Sequence, residues 1–125
     1  MRRSVLSAIL GVVVAVGCSN RHDVREQAAR LTGGDPDKGP ATIGRYGCGA
    51  CHDIPGVRNA RGTVGPPLTA IARRTYLAGH VLNTPKDMVT WIQHPQQLEH
   101  GTAMPEMHVT DADARDIAAY LYTLR

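Results

Sequence analysis

The run Cys48-Gly49-Ala50-Cys51-His52 constrains this chain more than any other segment of it. Two thiols three positions apart must sit on one side of a tight turn. The histidine that follows can swing its imidazole under whatever the sulfurs hold. Cys-x-x-Cys-His is the attachment signature for c-type haem, in which each thiol adds across one vinyl group and the imidazole takes the iron. Gly49 and Ala50 are small, which lets the backbone lie close to a porphyrin edge, and Gly47 does the same for the incoming helix. Three other uses of such a pair compete. A thioredoxin-like redox pair needs a strand before the motif and a βαβ pattern around it, and neither is visible. A zinc site needs a second ligand pair; His94, His100 and His108 are available but form no second paired motif. A plain disulfide is compatible with an exported protein and stays open on the motif alone.

The rest of the composition points the same way. The 125 residues suit one domain, and the part from residue 35 onward is near the lower limit for a self-sufficient core. There is no Phe; the aromatics are Tyr46, Tyr76, Trp91, Tyr120 and Tyr122. A domain this small and this poor in aromatics needs a metal, a disulfide or a bound group, and a buried porphyrin supplies the missing apolar volume. The formal charge of +3 overstates the basic character. Setting Arg2 and Arg3 aside leaves 12 basic residues against 11 acidic ones, a net of +1. No basic run with interleaved aromatics is present, so nucleic acid is not an expected partner.

Residues 1–18 read as an export signal. Met1-Arg2-Arg3 is a positive start, and Val5 to Val16 is an apolar run too short to span a bilayer. It ends in Ala15-Val16-Gly17-Cys18, which resembles a bacterial lipoprotein signal in which the cysteine is acylated. Ala15 stands where that signal most often has Leu. Ordinary cleavage near Gly17, leaving Cys18 as a stray thiol, is the alternative. Either way the chain is expected to be exported to the periplasmic side, attached to a membrane by the signal segment or a lipid at Cys18. Residues 19–34 are polar and charged and end in Gly33-Gly34, so they are expected to be a tether to a domain at 35–125.

A second axial ligand is expected, because iron in electron-transfer haems is usually six-coordinate and a soft thioether favours the reduced metal. Met88 lies on an apolar helical face with Trp91 and Ile92 and reads as core. Met104 sits in Gly101-Thr102-Ala103-Met104-Pro105, a loop of small and turn-forming residues that the proline keeps extended. Met107, three residues on, is the alternative.

The order Cys48 to His52, Gly65-Pro66-Pro67-Leu68, Trp91, Gly101 to Pro105, and a helix ending Ala118-Ala119-Tyr120-Leu121 resembles the class I cytochromes c, and among them the short bacterial members. The resemblance covers about residues 35–125. It implies an all-α fold in which the first and last helices of the domain cross around one covalent haem c, with Tyr120 as the aromatic at the crossing and Gly39 permitting close approach. It also implies iron ligation by His52 and Met104, and a hydrogen bond from the His52 ring to the Pro66 carbonyl. Arg73, Trp91 and Thr102 fall where the family contacts the haem propionates. His100 departs from the family, which often has proline there; it leaves His100 and His108 as other ligands in reach of the iron.

Local signals fill in the helices. Asp35-Pro36 is a start signal, but Pro40 would break a helix already under way, so the helix begins at Gly39-Pro40 or is kinked. It should run to about Arg45 with Ile43 and Tyr46 inward. Leu68 to Arg74 is a short helix. Thr84 with Asp87 and Thr110 with Asp113 are capping boxes, the first followed by Met88, Trp91 and Ile92 and stopped at Pro95. Val109 staples onto Ala114, and Ala114, Ile117, Ala118 and Leu121 follow a helical period. Residues 53–64 read as a surface loop, and no strand pattern of useful length is present.

The expected function is outer-sphere transfer of single electrons between other redox proteins, with no small-molecule substrate and no enzyme activity. Two alternatives remain: a haem domain or subunit of a larger oxidoreductase, and a peroxide- or gas-binding haem protein with a labile sixth ligand.

Overall fold

A computed structural model describes residues 20–125; the expected export signal at 1–18 and the expected acylation site at Cys18 lie outside the described residues. Within them are five α-helices: α1, whose described part covers 20–32, α2 (Gly39–Arg45), α3 (Pro85–Gln93), α4 (Pro95–Leu98) and α5 (Asp111–Leu121). Two 3₁₀ turns, Cys48–Ala50 and Ile71–Arg73, and a hairpin of β1 (Tyr76–Leu77) with β2 (Val81–Leu82) complete the described elements.

The starts are set by local chemistry. Pro36 does not open a helix; α2 begins at Gly39, which puts Pro40 in the first turn, where its missing N–H costs nothing. Thr84 Oγ1 accepts from the Asp87 N–H at 3.1 Å and donates to the Asp87 carboxylate at 2.7 Å, fixing the first turn of α3. Thr110 Oγ1 accepts from the Asp113 N–H at 3.2 Å and does the same for α5. α2 stops at Gly47, which takes a left-handed φ of 71° and turns the chain into the cysteine motif.

α2 crosses α5 closely. A Cβ on Gly39 would lie 2.2 Å from the Tyr120 Cβ and 2.9 Å from the Asp116 carbonyl oxygen, so no side chain fits there. The Tyr120 hydroxyl donates to the Pro55 carbonyl at 2.6 Å and ties the crossing to the loop after the motif. Ile43, Ile54, Met88, Ile92, Val109, Ala114, Ile117, Ala118 and Leu121 form the core beneath it.

Four expectations are corrected. Residues 19–34 are no tether over their described length: α1 is helical from 20 to 32 and docks on the domain, with Ala28 and Thr32 buried. The Arg115 guanidinium donates to the Thr32 carbonyl at 3.0 Å, and the Asp35 N–H donates to Asp116 Oδ1 at 2.7 Å. The short helix at 68–74 contracts to the 3₁₀ turn Ile71–Arg73, because Ala70 takes a left-handed φ of 52°. The loop at 53–64 is partly internal: Ile54 and Ala60 are buried, and the Ile54 N–H donates to the Ala60 carbonyl at 3.1 Å. A hairpin too short for a period-two pattern exists at 76–82. Among the described residues no helix is long and apolar enough to cross a membrane.

Candidate functional site

The cysteine motif is a compact turn held from behind. The Cys51 and His52 N–H groups both donate to the Cys48 carbonyl, at 3.2 and 3.1 Å, which puts the two cysteines on one turn. Behind them, a Cβ on Gly49 would lie 2.6 Å from the Ala60 Cα. The smallness of Gly49 thus admits the returning loop. Cys48 and Cys51 form no disulfide with each other, and both are half-buried. Burial pushes the Cys48 thiol above its ordinary value, with the neighbouring Cys51 adding to the effect.

His52 is oriented by the segment after the loop. Its Nδ1 lies 2.7 Å from the Pro66 carbonyl oxygen, and since a carbonyl only accepts, Nδ1–H is the donor. In the neutral ring this tautomer has its lone pair on Nε2, the form in which imidazole binds a metal. Gly65 lies flat against the ring: a Cβ there would be 2.4 Å from His52 Cε1 and 2.7 Å from Nδ1. The Gly65 N–H donates to the Cys51 carbonyl at 2.8 Å, and the Leu68 N–H to the Asp53 carbonyl at 2.8 Å, so the whole Pro66 segment is stitched to the motif.

Met104 stands on a separate loop between α4 and α5. It is half-buried, whereas Met107, His100 and His108 are exposed. The Met104 N–H donates to Thr102 Oγ1 at 3.4 Å, and the Thr102 N–H donates to the Glu99 carbonyl at 3.2 Å. The hairpin borders this loop, since His80 at its tip pairs with Glu99 at 2.9 Å. Trp91 is half-buried on α3 against the core.

Arg73, at the end of its 3₁₀ turn, faces away from the Pro66 segment. It is exposed and lines a cavity of about 370 Å³ shared with Ala28 and Leu31 of α1, Tyr122 and Arg125. Arg74 is extended and is the arginine turned to the Pro66 segment, its guanidinium donating to the Pro67 and Thr69 carbonyls. Asn83, which no motif marked, fastens this turn: its Nδ2 donates to the Ile71 and Arg74 carbonyls at 2.9 and 2.8 Å, and its Oδ1 accepts from the Tyr122 hydroxyl at 2.8 Å. Burial raises the Tyr122 hydroxyl to about 12, so that donor is permanent over the physiological range.

Whether this donor set suits a haem has a test in the uncovered apolar surface. Val64, Tyr76, Leu82 and Met107 are large apolar side chains exposed by 79, 50, 55 and 38%. All four stand on the segments just described: next to Gly65, on the hairpin, or in the methionine loop. Tyr76 and Leu82 are cross-strand partners and so share one face, while Leu77 behind them is buried. Apolar surface left uncovered on the segments that flank His52 and carry Met104 is the kind a porphyrin would cover, at about 25 cal/mol per Å² removed from water. Zinc lacks this support: among the described residues no three His, Cys, Asp or Glu side chains converge.

Comparison with known families agrees. The family model for cytochrome c matches residues 36–125, everything from α2 onward, while α1 lies ahead of it. No curated protein and no solved structure matches the chain. With the match covering most of the sequence, the chain belongs to the cytochrome c family, whose members bind covalently attached haem c.

Proposed function

We propose that this haem-based electron carrier passes single electrons between redox proteins outside the cytoplasm, and that Cys48, Cys51, His52 and Met104 hold its haem. The observation that carries the reading is the His52 Nδ1 contact to the Pro66 carbonyl at 2.7 Å, which supports Nε2 as the nitrogen offered to the iron. The bound haem supplies a one-electron ferrous–ferric couple. The chain's part is to hold it and set its potential. Each thiol adds across a vinyl double bond, sulfur to one carbon and hydrogen to the other, so attachment consumes no electrons. His52 Nε2 gives a nitrogen ligand and Met104 a thioether that favours the ferrous state. Trp91, Thr102 and Arg73 are the groups to meet the propionates, because two carboxylates in a small domain need polar partners.

Export rests on Arg2, Arg3 and the apolar run from Val5 to Val16, with Cys18 as the acylation site that would fix the carrier to a membrane. Encounters with partners are brief, since a carrier must be released quickly.

A spectropotentiometric titration of the holoprotein tests this. One electron per chain is expected, together with a weak near-infrared sulfur-to-iron band in the ferric form and no carbon monoxide binding in the ferrous form. Met104→Ala should lose the band and gain carbon monoxide binding. A high-spin wild-type ferric spectrum, or ready carbon monoxide binding by the wild type, would favour the peroxide- or gas-binding alternative.

A further inference from the structure

The methionine loop is gripped from outside by one side chain. Gln96, the second residue of α4, turns its amide to three backbone groups of the loop. The Gly101 N–H donates to Gln96 Oε1 at 3.0 Å, and Gln96 Nε2 donates to the Thr102 carbonyl at 2.8 Å and the Met104 carbonyl at 3.1 Å. The Gln96 backbone N–H adds a bond to Glu106 Oε1 at 3.3 Å. One residue thus engages the loop on both sides of Met104. The base of this clamp is firm, because Pro95 beside it is among the most deeply buried side chains of the described chain.

The chemistry of that grip is particular to glutamine. A primary amide offers two donors and one acceptor on a single plane, and here all three are used. Glutamate could accept from Gly101 but would face the two carbonyls with negative oxygens. Leucine fills the same space and makes none of the three bonds. Without the clamp, the Met104 backbone keeps only its 3.4 Å bond to Thr102, while Gly101 turns the chain at a φ of 85°.

We propose that Gln96 is a positioning residue that sets how firmly the Met104 thioether is held at the sixth position of the iron, acting through the loop backbone and not by touching the haem. This rests on the reading of Met104 as the sixth ligand. A thioether is a weak neutral ligand, so its bound and released forms are in a measurable equilibrium. A loop already fixed in one conformation loses little entropy on ligation, and that preorganisation favours the bound form. Releasing the clamp raises the fraction with Met104 off, and any ligand that binds the vacated position gains apparent affinity in proportion to that fraction.

Exogenous imidazole added to the ferric holoprotein reads this directly. Gln96→Leu and Gln96→Glu should each bind imidazole about tenfold tighter than wild type, a change of about 1.4 kcal/mol, and lose the near-infrared band at correspondingly lower imidazole. Should Gln96→Leu fail to yield folded holoprotein, Gln96→Glu, which keeps one of the three bonds, decides alone. Met104→Ala, run in parallel, should lack the band and bind imidazole more tightly still. If Met104→Ala keeps the band, the ligand reading itself fails. If Met104→Ala behaves as expected while the folded Gln96 variants match wild type in band and imidazole affinity, the positioning role is overturned, even where their thermal midpoints fall.

Discussion

Single atoms decide the geometry around His52. The ring is trapped between the Pro66 carbonyl and the bare α-carbon of Gly65, so Gly65→Ala has nowhere to put its methyl group. The ring is rigid and cannot bend away, and its only escape breaks the bond to Pro66. The expected cost is that of an overpacked core, about 1–3 kcal/mol, seen as a lower thermal midpoint of the holoprotein together with a shifted reduction potential. A second residue-scale device sits at the start of α5. The Asp113 carboxylate accepts from the Tyr46 hydroxyl at 2.7 Å and the Arg45 guanidinium at 2.7 Å, and these bonds, Tyr46 first, hold its carboxyl below the ordinary 3.8. A carboxyl lowered on folding contributes its full stabilisation above the unfolded value and loses it as pH falls through the folded one. Asp113→Asn should therefore melt below wild type at neutral pH. The gap should close as the melts are repeated below about pH 4; a gap independent of pH would contradict this role.

Elements were legible to different degrees, and the reason is how local each signal is. α3 and α5 could be placed from four residues each, because a capping box is satisfied within one turn and Thr84 and Thr110 do just that. The start of α2 was left between two sites by Pro36 and Pro40, and the chain resolves it by turning before Gly39. α1 was missed because its buried face is only Ala28 and Thr32, too small and too polar to print a stripe; what holds it is Arg115 and Asp116 from more than 80 positions away. The hairpin was missed because two-residue strands have no period to read. At the site, the Pro66 and Met104 segments were readable as ordered motifs. Gln96 and Asn83 were not, because both act on carbonyls and N–H groups that every sequence has. Arg73 and Arg74 could not be told apart until the left-handed turn at Ala70 fixed which one faces the Pro66 segment. For α1 the expectation is concrete: Ala28→Leu overfills a site exposed by 1% and should cost about 1–3 kcal/mol. Leu31→Ala, at a position exposed by 50%, should stay within about 0.5 kcal/mol. Thermal melts of the two variants check the contrast; equal losses would mean that α1 does not dock as described.

Over the described residues the chain is a small, mostly helical domain that leaves several large apolar side chains in water. Its core is short of aromatics, and Val64, Tyr76, Leu82 and Met107 stay uncovered by the chain itself. Membership of the cytochrome c family names covalently attached haem c as what covers them, and the thiol pair at the turn is the proposed point of attachment. The most direct measurement is to extract the purified holoprotein with acidified organic solvent, which removes ligated but unlinked haem, and to weigh the chain and its proteolytic peptides by mass spectrometry. The account predicts that the pigment stays with the protein, and that one haem mass is found on the peptide holding Cys48 and Cys51. Colour passing into the solvent, with that peptide at its unmodified mass, would contradict it.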